Sequence, residues 1–383
     1  MCHMSRKSGV GHLEMIRRVN RASVLNMIKN RQPISRAQIS KQLGLSRATV
    51  SAIVDELIDK KMIYESDIKK ANGKIGRRST MLGFNPRSMF CIGLDVGGTK
   101  ILTIITDLNG EILYQEKVDS TGDLEKMAKL IRRSLAACDL SENQIFGLGI
   151  GIPGTVLPEG IVVRAKALHW SDMNLKKELE NRFDFPVYVG NDVNLAALGE
   201  CWKGSGDQVK DMIFIALGTG VGSAILSDGK LIHGAQGRSG EIGYYLDGED
   251  VRNHRLNHLG VQGVFEQKCS GTALNRFGCS SEELFQLYQQ SDPEAKEIID
   301  RFVLDLSLAI ANSVSLINPT KVVIGRGVSE SLNCVIDRVR ENVAMLTPVQ
   351  TEICLASLGS MAGALGAVIY LITQREYEDM RLH

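Results

Sequence analysis

Two stretches of this chain share one design, and few folds accommodate it. Residues 90–96 form an apolar run that breaks at Gly97-Gly98-Thr99, and a second apolar run over 101–107 resumes after Lys100. The pattern predicts two strands joined by a glycine turn. Residues 215–226 repeat it, with Gly218-Thr219-Gly220 at the turn. A turn with so little side-chain bulk lets backbone N–H groups crowd against phosphate oxygens. Asp95, at the end of the first strand, is placed to hold a magnesium ion through water. One such hairpin is equally well an ordinary Gly-rich turn. Two of them point to two lobes closing on one ligand.

Strands and helices alternate around these hairpins. A buried strand over 146–152 ends at Pro153-Gly154, and another over 187–190 runs into Asn191-Asp192-Val193-Asn194 and a helix over 195–202. Asn191 and Asp192 therefore sit at a strand's carboxyl end, where open α/β sheets place ligands. Asp192 is suited to take a proton from a sugar hydroxyl as general base. It is suited as well to plain helix N-capping. Glu241 and Glu266 are further acceptors for sugar hydroxyls, or else surface acids. The apolar helix over 301–317 belongs to the core and leads to a strand and a glycine-rich turn, Gly325-Arg326-Gly327. Residues 360–367 are small, and a helix there packs closely.

The net charge of +1 conceals an asymmetry. Residues 1–80 carry 17 Lys and Arg against 6 Asp and Glu, leaving 28 against 38 in the rest. A basic segment on an acidic body suggests a module with a polyanionic partner. Its apolar periodicity separates it from a solvated tail. Leu13, Ile16, Val19, Val24, Leu25 and Ile28 make one helical stripe, which Pro33 interrupts. Ser35 caps a short helix, Arg36–Leu43, and Gly44 ends it in a left-handed turn. Ser46 caps the next helix, over 47–60, with Val50, Ile53, Val54, Leu57 and Ile58 inward. This is a helix-turn-helix pattern, whose second helix enters the major groove. Arg36, Ser46, Arg47, Thr49 and Ser51 are the expected DNA contacts there, while Ala48 and Ala52 keep the approach close. A strand, a basic turn over 69–78 and a strand over 80–84 form a wing, and Arg77-Arg78 suit a narrow minor groove. Residues 85–87 read as a linker.

Together these segments resemble the ROK family of repressors, open reading frames and sugar kinases. Asp95-Val96-Gly97-Gly98-Thr99-Lys100 resembles its first phosphate motif. Gly218-Thr219-Gly220-Val221-Gly222 through Arg238 resembles its signature, and Gly325-Arg326-Gly327 its adenosine-side turn. Asn191-Asp192-Val193-Asn194 through Gly199-Glu200 resembles its sugar motif, with Asp192 in the catalytic-base position. The resemblance implies a winged helix-turn-helix over 1–85 ahead of a two-lobed α/β actin-like ATPase fold. The first lobe is expected over 86–192 with a C-terminal helix from about 366–383, and the second over 193–365. The resemblance also implies ATP with magnesium as the cofactor of any kinase activity. Departures fall on the sugar side. Tyr244 stands where the family has a histidine that binds sugar and zinc. Asn257, Leu259 and Val264 stand at its zinc-loop cysteines, with His254 and His258 nearby. No zinc or other metal site is expected, and the loop carrying Glu266 should be less firmly held without one. The eight cysteines are scattered, which argues against a disulfide framework.

The expected function is a sugar-responsive repressor. Its partners would be operator DNA and a sugar or sugar phosphate, bound by Asn191, Asp192, Glu241, Tyr244 and Glu266, in a homodimer or tetramer. The competing reading is an ATP-dependent sugar kinase with a DNA-binding head, holding nucleotide at Asp95, Gly97, Gly98, Thr99, Lys100, Gly218, Thr219, Gly220, Gly325 and Gly327. No apolar run approaches the roughly 20 residues of a membrane helix, and residues 1–10 lack a secretory core, so a cytoplasmic location is expected.

Overall fold

The computed structural model describes residues 8–66, 80–258 and 261–381. The head runs α1 (Ser8–Arg31), β1 (Ile34–Ser35), α2 (Arg36–Leu43), α3 (Arg47–Asp59), β2 (Ile63–Ser66) and β3 (Met81–Phe84). Local chemistry sets its boundaries. Ser35 caps α2 in a capping box with Gln38, and Gly44 ends it at φ 66°. Ser46 then caps α3 through the Thr49 N–H. Val50, Ile53, Val54 and Leu57 of α3 are buried as the stripe requires, against Val24 and Ile28 of α1. The strands pair antiparallel in the order β1-β3-β2. The basic turn expected over 69–78, with Arg77 and Arg78, lies outside the described residues.

Residues 85–87 are not a free linker. Asn85 caps a 3₁₀ turn, Pro86–Ser88. Its amide also donates to the Lys61 carbonyl, and its backbone N–H to that of Met62. The chain passes at once into β4 (Phe90–Val96), β5 (Lys100–Asp107) and β6 (Ile112–Asp119). After α4 (Leu124–Ala137) come β7 (Ile145–Ile152), the short strands β8 (Thr155–Val156), β9 (Ile161–Ala165) and β10 (Trp170–Asn174), then α5 (Leu175–Glu180) and β11 (Val187–Asn191). The first large sheet has the order β11-β7-β4-β5-β6. β4, β7 and β11 are parallel, and β5 and β6 return antiparallel.

α6 (Asp192–Lys203) leads to a second sheet on the same plan. It contains β12 (Met212–Leu217), β13 (Val221–Ser227), β14 (Lys230–Leu231), β15 (Lys321–Gly325) and β16 (Glu352–Leu355), in the order β14-β13-β12-β15-β16. The two sequence hairpins are therefore equivalent strand pairs, β4–β5 and β12–β13, at the centres of two matching sheets. Between β14 and β15 lie α7 (Gly248–Arg252), α8 (Glu266–Cys269), α9 (Gly271–Leu274), α10 (Ser281–Gln289) and the long α11 (Pro293–Ile317). α12 (Ile336–Leu346) joins β15 to β16. Among the described residues, no helix is long and apolar enough to cross a membrane.

The last helix, α13 (Ala362–Arg381), takes in most of the small residues expected to be helical over 360–367, and Ala362 and Ala364 are buried. It lies on β4 and β7 and crosses α6. A Cβ on Gly366 would run into the Leu195 carbonyl oxygen of α6, so the two backbones touch. Glu200 of α6 holds the turn that precedes α13. Fully buried, its carboxylate accepts from the N–H groups of Ser205 (2.8 Å), Ser357 (3.2 Å) and Leu358 (2.8 Å).

Gly366→Ala should force α6 and α13 apart and lower stability by about 1–3 kcal/mol, as overpacking does. Thermal unfolding of the purified variant measures this, and an unchanged midpoint would contradict so close a crossing.

Candidate functional site

The start of α3, where the sequence places the DNA contacts, is exposed. Arg47, Ala48 and Ala52 are exposed, and Thr49 and Ser51 are half-buried. Ser46 Oγ accepts the Thr49 N–H at 3.1 Å and lies 2.8 Å from Thr49 Oγ1, so these two hydroxyls are partnered within the helix start. Arg36 does not belong to this face. Its guanidinium reaches Glu65 at 2.8 Å and Asp55 at 3.1 Å, joining α2 to β2 and α3. Among the described residues expected to meet DNA, Arg47 is the exposed arginine.

The second site lies between the large sheets, at the carboxyl ends of β4, β11, β12 and β15. Gly97 N–H donates to the Lys100 carbonyl (2.8 Å), and Gly218 N–H to the Gly220 carbonyl (2.9 Å), so both glycine turns are tight. Lys100 is turned toward Asp119 on β6 and pairs with it. Thr99 and Thr219 are exposed at the tips. The Thr99 carbonyl accepts from the Ser120 N–H, and the Thr219 carbonyl from Thr272 Oγ1.

Asn191, not Asp192, caps α6. Its Oδ1 accepts from the N–H groups of Val193 and Asn194, both at 3.0 Å, and its Nδ2 donates to the Gly154 carbonyl at 2.9 Å. The capping alternative for Asp192 therefore falls away, and its carboxylate is left to the cleft. There it meets Arg326, from the turn after β15. Arg326 Nη2 donates to Asp192 Oδ2 and to the Asp192 carbonyl, each at 3.2 Å. Arg326 Nη1 lies 3.4 Å from Asp95 Oδ2.

This triad joins three elements of the fold. Burial alone would weaken the Arg326 charge, but the two carboxylates more than offset it and hold the guanidinium's pKa above its usual value. Burial pushes Asp95 up to about 6, with Arg326 opposing and Asp192 adding to the rise. Arg326 adopts φ 76° and ψ 177°, a backbone region nearly restricted to glycine. A side chain there costs about 1–3 kcal/mol and persists only where its surroundings over-determine it.

A magnesium nucleotide does not fit this donor set. Asp95 Oδ1 is buried without a hydrogen-bond partner, which would suit a metal's water. The other oxygen faces Arg326, and so does the Asp192 carboxylate, so a cation already stands between the two acids.

On the sugar side, Glu266 begins α8 and is half-buried. A Cβ on Gly220 would meet its carboxylate, so the second glycine turn and Glu266 are in contact. Burial raises the Glu266 pKa, against hydrogen bonds from the backbone of Val221 and Gly263, and the nearby Glu241 charge raises it further. Tyr244 is 39% exposed, and its hydroxyl donates to the Val261 carbonyl at 3.4 Å.

The described residues on either side of 259 and 260 carry several braces around Glu266. Asn257 donates to the Tyr244 carbonyl and accepts the Val264 N–H (2.9 Å). Lys268 binds Asp247 (2.9 Å) and Asp250 (2.7 Å), with Asp305 at 3.9 Å. This lysine, with help from the Asp250 N–H, holds Asp247 down at about 2. His254 and His258 are exposed, Leu259 lies outside the described residues, and no group of three or more metal-ligating side chains occurs among the described residues. Sequence reasoning singled out neither Arg326 nor Lys268. An arginine between two glycines was the one available signal for the first.

Comparison with known proteins agrees with this layout. The ROK family profile matches residues 91–374, and a MarR family profile matches 18–69. The xylose repressor of Caldicellulosiruptor bescii is 29% identical over 95% of this chain and 98% of its own length. The crystal structure of a ROK family transcriptional regulator, a homolog of the E. coli MLC protein, superposes with a TM-score of 0.81 at 25% identity, covering 96% of this chain and 98% of that one. A ROK family glucokinase from Streptomyces griseus, in complex with glucose and AMPPNP, covers 73% of this chain and 98% of its own, with a TM-score of 0.61 at 28% identity. The family match takes in both large sheets and the cleft between them, and the chain belongs to the ROK family.

Proposed function

We propose that this chain is a sugar-responsive transcriptional repressor of carbohydrate genes, acting in the cytoplasm. One observation carries the reading: a winged helix with an exposed recognition-helix start shares a continuous apolar core with the first sheet of a ROK fold. Val24, Ile28 and Val54 of the head belong to the same buried cluster as Cys91, Ile104, Ala364 and Val368. Relatives that span nearly the whole of this chain include a xylose repressor. The head binds operator DNA as a dimer on two-fold half-sites, with Arg47 and Ser51 toward the major groove. Sugar enters between the sheets and is read by Asp192, Glu241 and Glu266 as acceptors, with Tyr244 at the rim. Asn191 contributes by fixing Asp192 at the start of α6. Binding shifts the balance between lobe arrangements, and the shared core passes that shift to the spacing of the two heads.

Kinase action is the second reading, and the two glycine turns favour it. Against it, Arg326 engages both the metal-side acid, Asp95, and the general-base candidate, Asp192. Phosphoryl transfer requires a base free to take the hydroxyl proton and a metal free to meet the phosphates.

Selection of duplexes from a random pool by the full-length protein should recover one two-fold sequence. Arg47→Ala should weaken binding to it by about 1–3 kcal/mol, as the loss of a base contact does. A wild type that enriches no sequence would refute the repressor reading.

A thermal-shift panel of pentoses, hexoses, amino sugars and their phosphates should identify one stabilising class. At a hundred times its dissociation constant the ligand should add about 2.7 kcal/mol. Calorimetry with that sugar should show Glu266→Ala weakening it by about 1.5–3 kcal/mol, as loss of a charged hydrogen-bond partner does. Undiminished affinity in a folded Glu266→Ala protein would remove Glu266 from the sugar site.

A further inference from the structure

Arg326 combines two features that ordinary packing does not explain. Its backbone sits where glycine belongs, and its two neighbours, Gly325 and Gly327, are glycines already. Its side chain reaches from the end of β15 to an acid at the end of β4 and an acid at the start of α6. A strained backbone persists where something downstream holds it. Among the described residues its charged partners are Asp95 and Asp192, and Ser329 donates to its carbonyl, so the bridge helps to hold the strain.

The position of the bridge decides its consequence. It lies at the carboxyl ends of the central strands, flanked by the two glycine turns, where an anionic phosphate would have to pass between the lobes. Asp95 is the acid best placed to meet a metal's water, and one of its oxygens is turned to Arg326. Asp192 has Arg326 on Oδ2 and Asn191 Nδ2 on Oδ1, at 3.2 and 3.3 Å. A divalent cation arriving here would meet a fixed positive charge beside the buried Asp95, where such repulsion is strong.

We propose that the Arg326 guanidinium is an internal cation standing where magnesium nucleotide would have to sit, so that the cleft binds sugar without nucleotide and the lobes are clasped by the chain itself. This deepens the sensor reading of the same cleft. It predicts that the cleft is ready for sugar at any nucleotide level, since no nucleotide enters the binding step.

The test reads nucleotide, not sugar or DNA, so its failure is distinguishable from failure of the repressor reading. Full-length wild type, Arg326→Gly and Arg326→Gln are titrated with magnesium-AMPPNP by calorimetry. The glycine variant removes both charge and strain. The glutamine variant keeps the strain that the fold already tolerates and removes only the charge. Each folded variant is expected to bind at least about tenfold more tightly than wild type. Equal affinity in wild type and a folded variant, or no binding by either folded variant, overturns the proposal. Should neither variant fold, the wild type decides: a saturable thermal shift with magnesium-AMPPNP overturns the proposal, and its absence in a protein that still responds to sugar supports it.

Discussion

The crossing of α6 and α13 is the contact on which the cleft depends. At Gly366 the two helices meet backbone to backbone, with no side chain between them. The start of α6 carries Asp192, and the start of α13 presses Gly363 against the Asp95 carboxyl. The separation of the two acids is therefore set by how closely two helix backbones approach. Interiors are packed like crystals, so a helix crossing of this kind has few arrangements open to it. The Arg326 bridge has matching geometry because the crossing holds still.

Charge braces the segments around Glu266. Lys268 gathers three carboxylates, of which Asp250 is 1% exposed. An ion group so deep holds its geometry only while each member keeps its partners, since a stranded buried charge is strongly unfavourable. Asn257 then ties Tyr244 to Val264 across the loop. These groups hold Tyr244 and the start of α8 from either side.

Much of this was legible in the sequence because the relevant physics is local. The caps Ser35 and Ser46, the left-handed Gly44, the stripe of α3 and both glycine hairpins depend on residues within a few positions of each other. The repeated hairpin pointed to two lobes, and the matching strand order of their sheets appears only in the fold. What the sequence hid depends on distant partners. Arg36 is basic and sits at the start of a helix, yet Glu65 and Asp55, 29 and 19 positions away, claim it. Lys100 is claimed by Asp119 in the same way. Which of Asn191 and Asp192 caps α6 depended on the Gly154 carbonyl, which draws the asparagine amide. Arg326 reaches partners 231 and 134 positions earlier, and no local rule could assign them.

The shared core of head and body bears on how such a chain comes off the ribosome. Residues that finish the head's apolar cluster include Ala364, Leu365, Val368 and Leu371 of α13, more than three hundred positions after Val24. Synthesis proceeds from the N-terminus, and domains ordinarily fold as they emerge. Here the apolar cluster of the head is completed only when α13 arrives. An unfinished regulator therefore exposes apolar surface to chaperones and proteases, while one that has settled onto its final helix withdraws it.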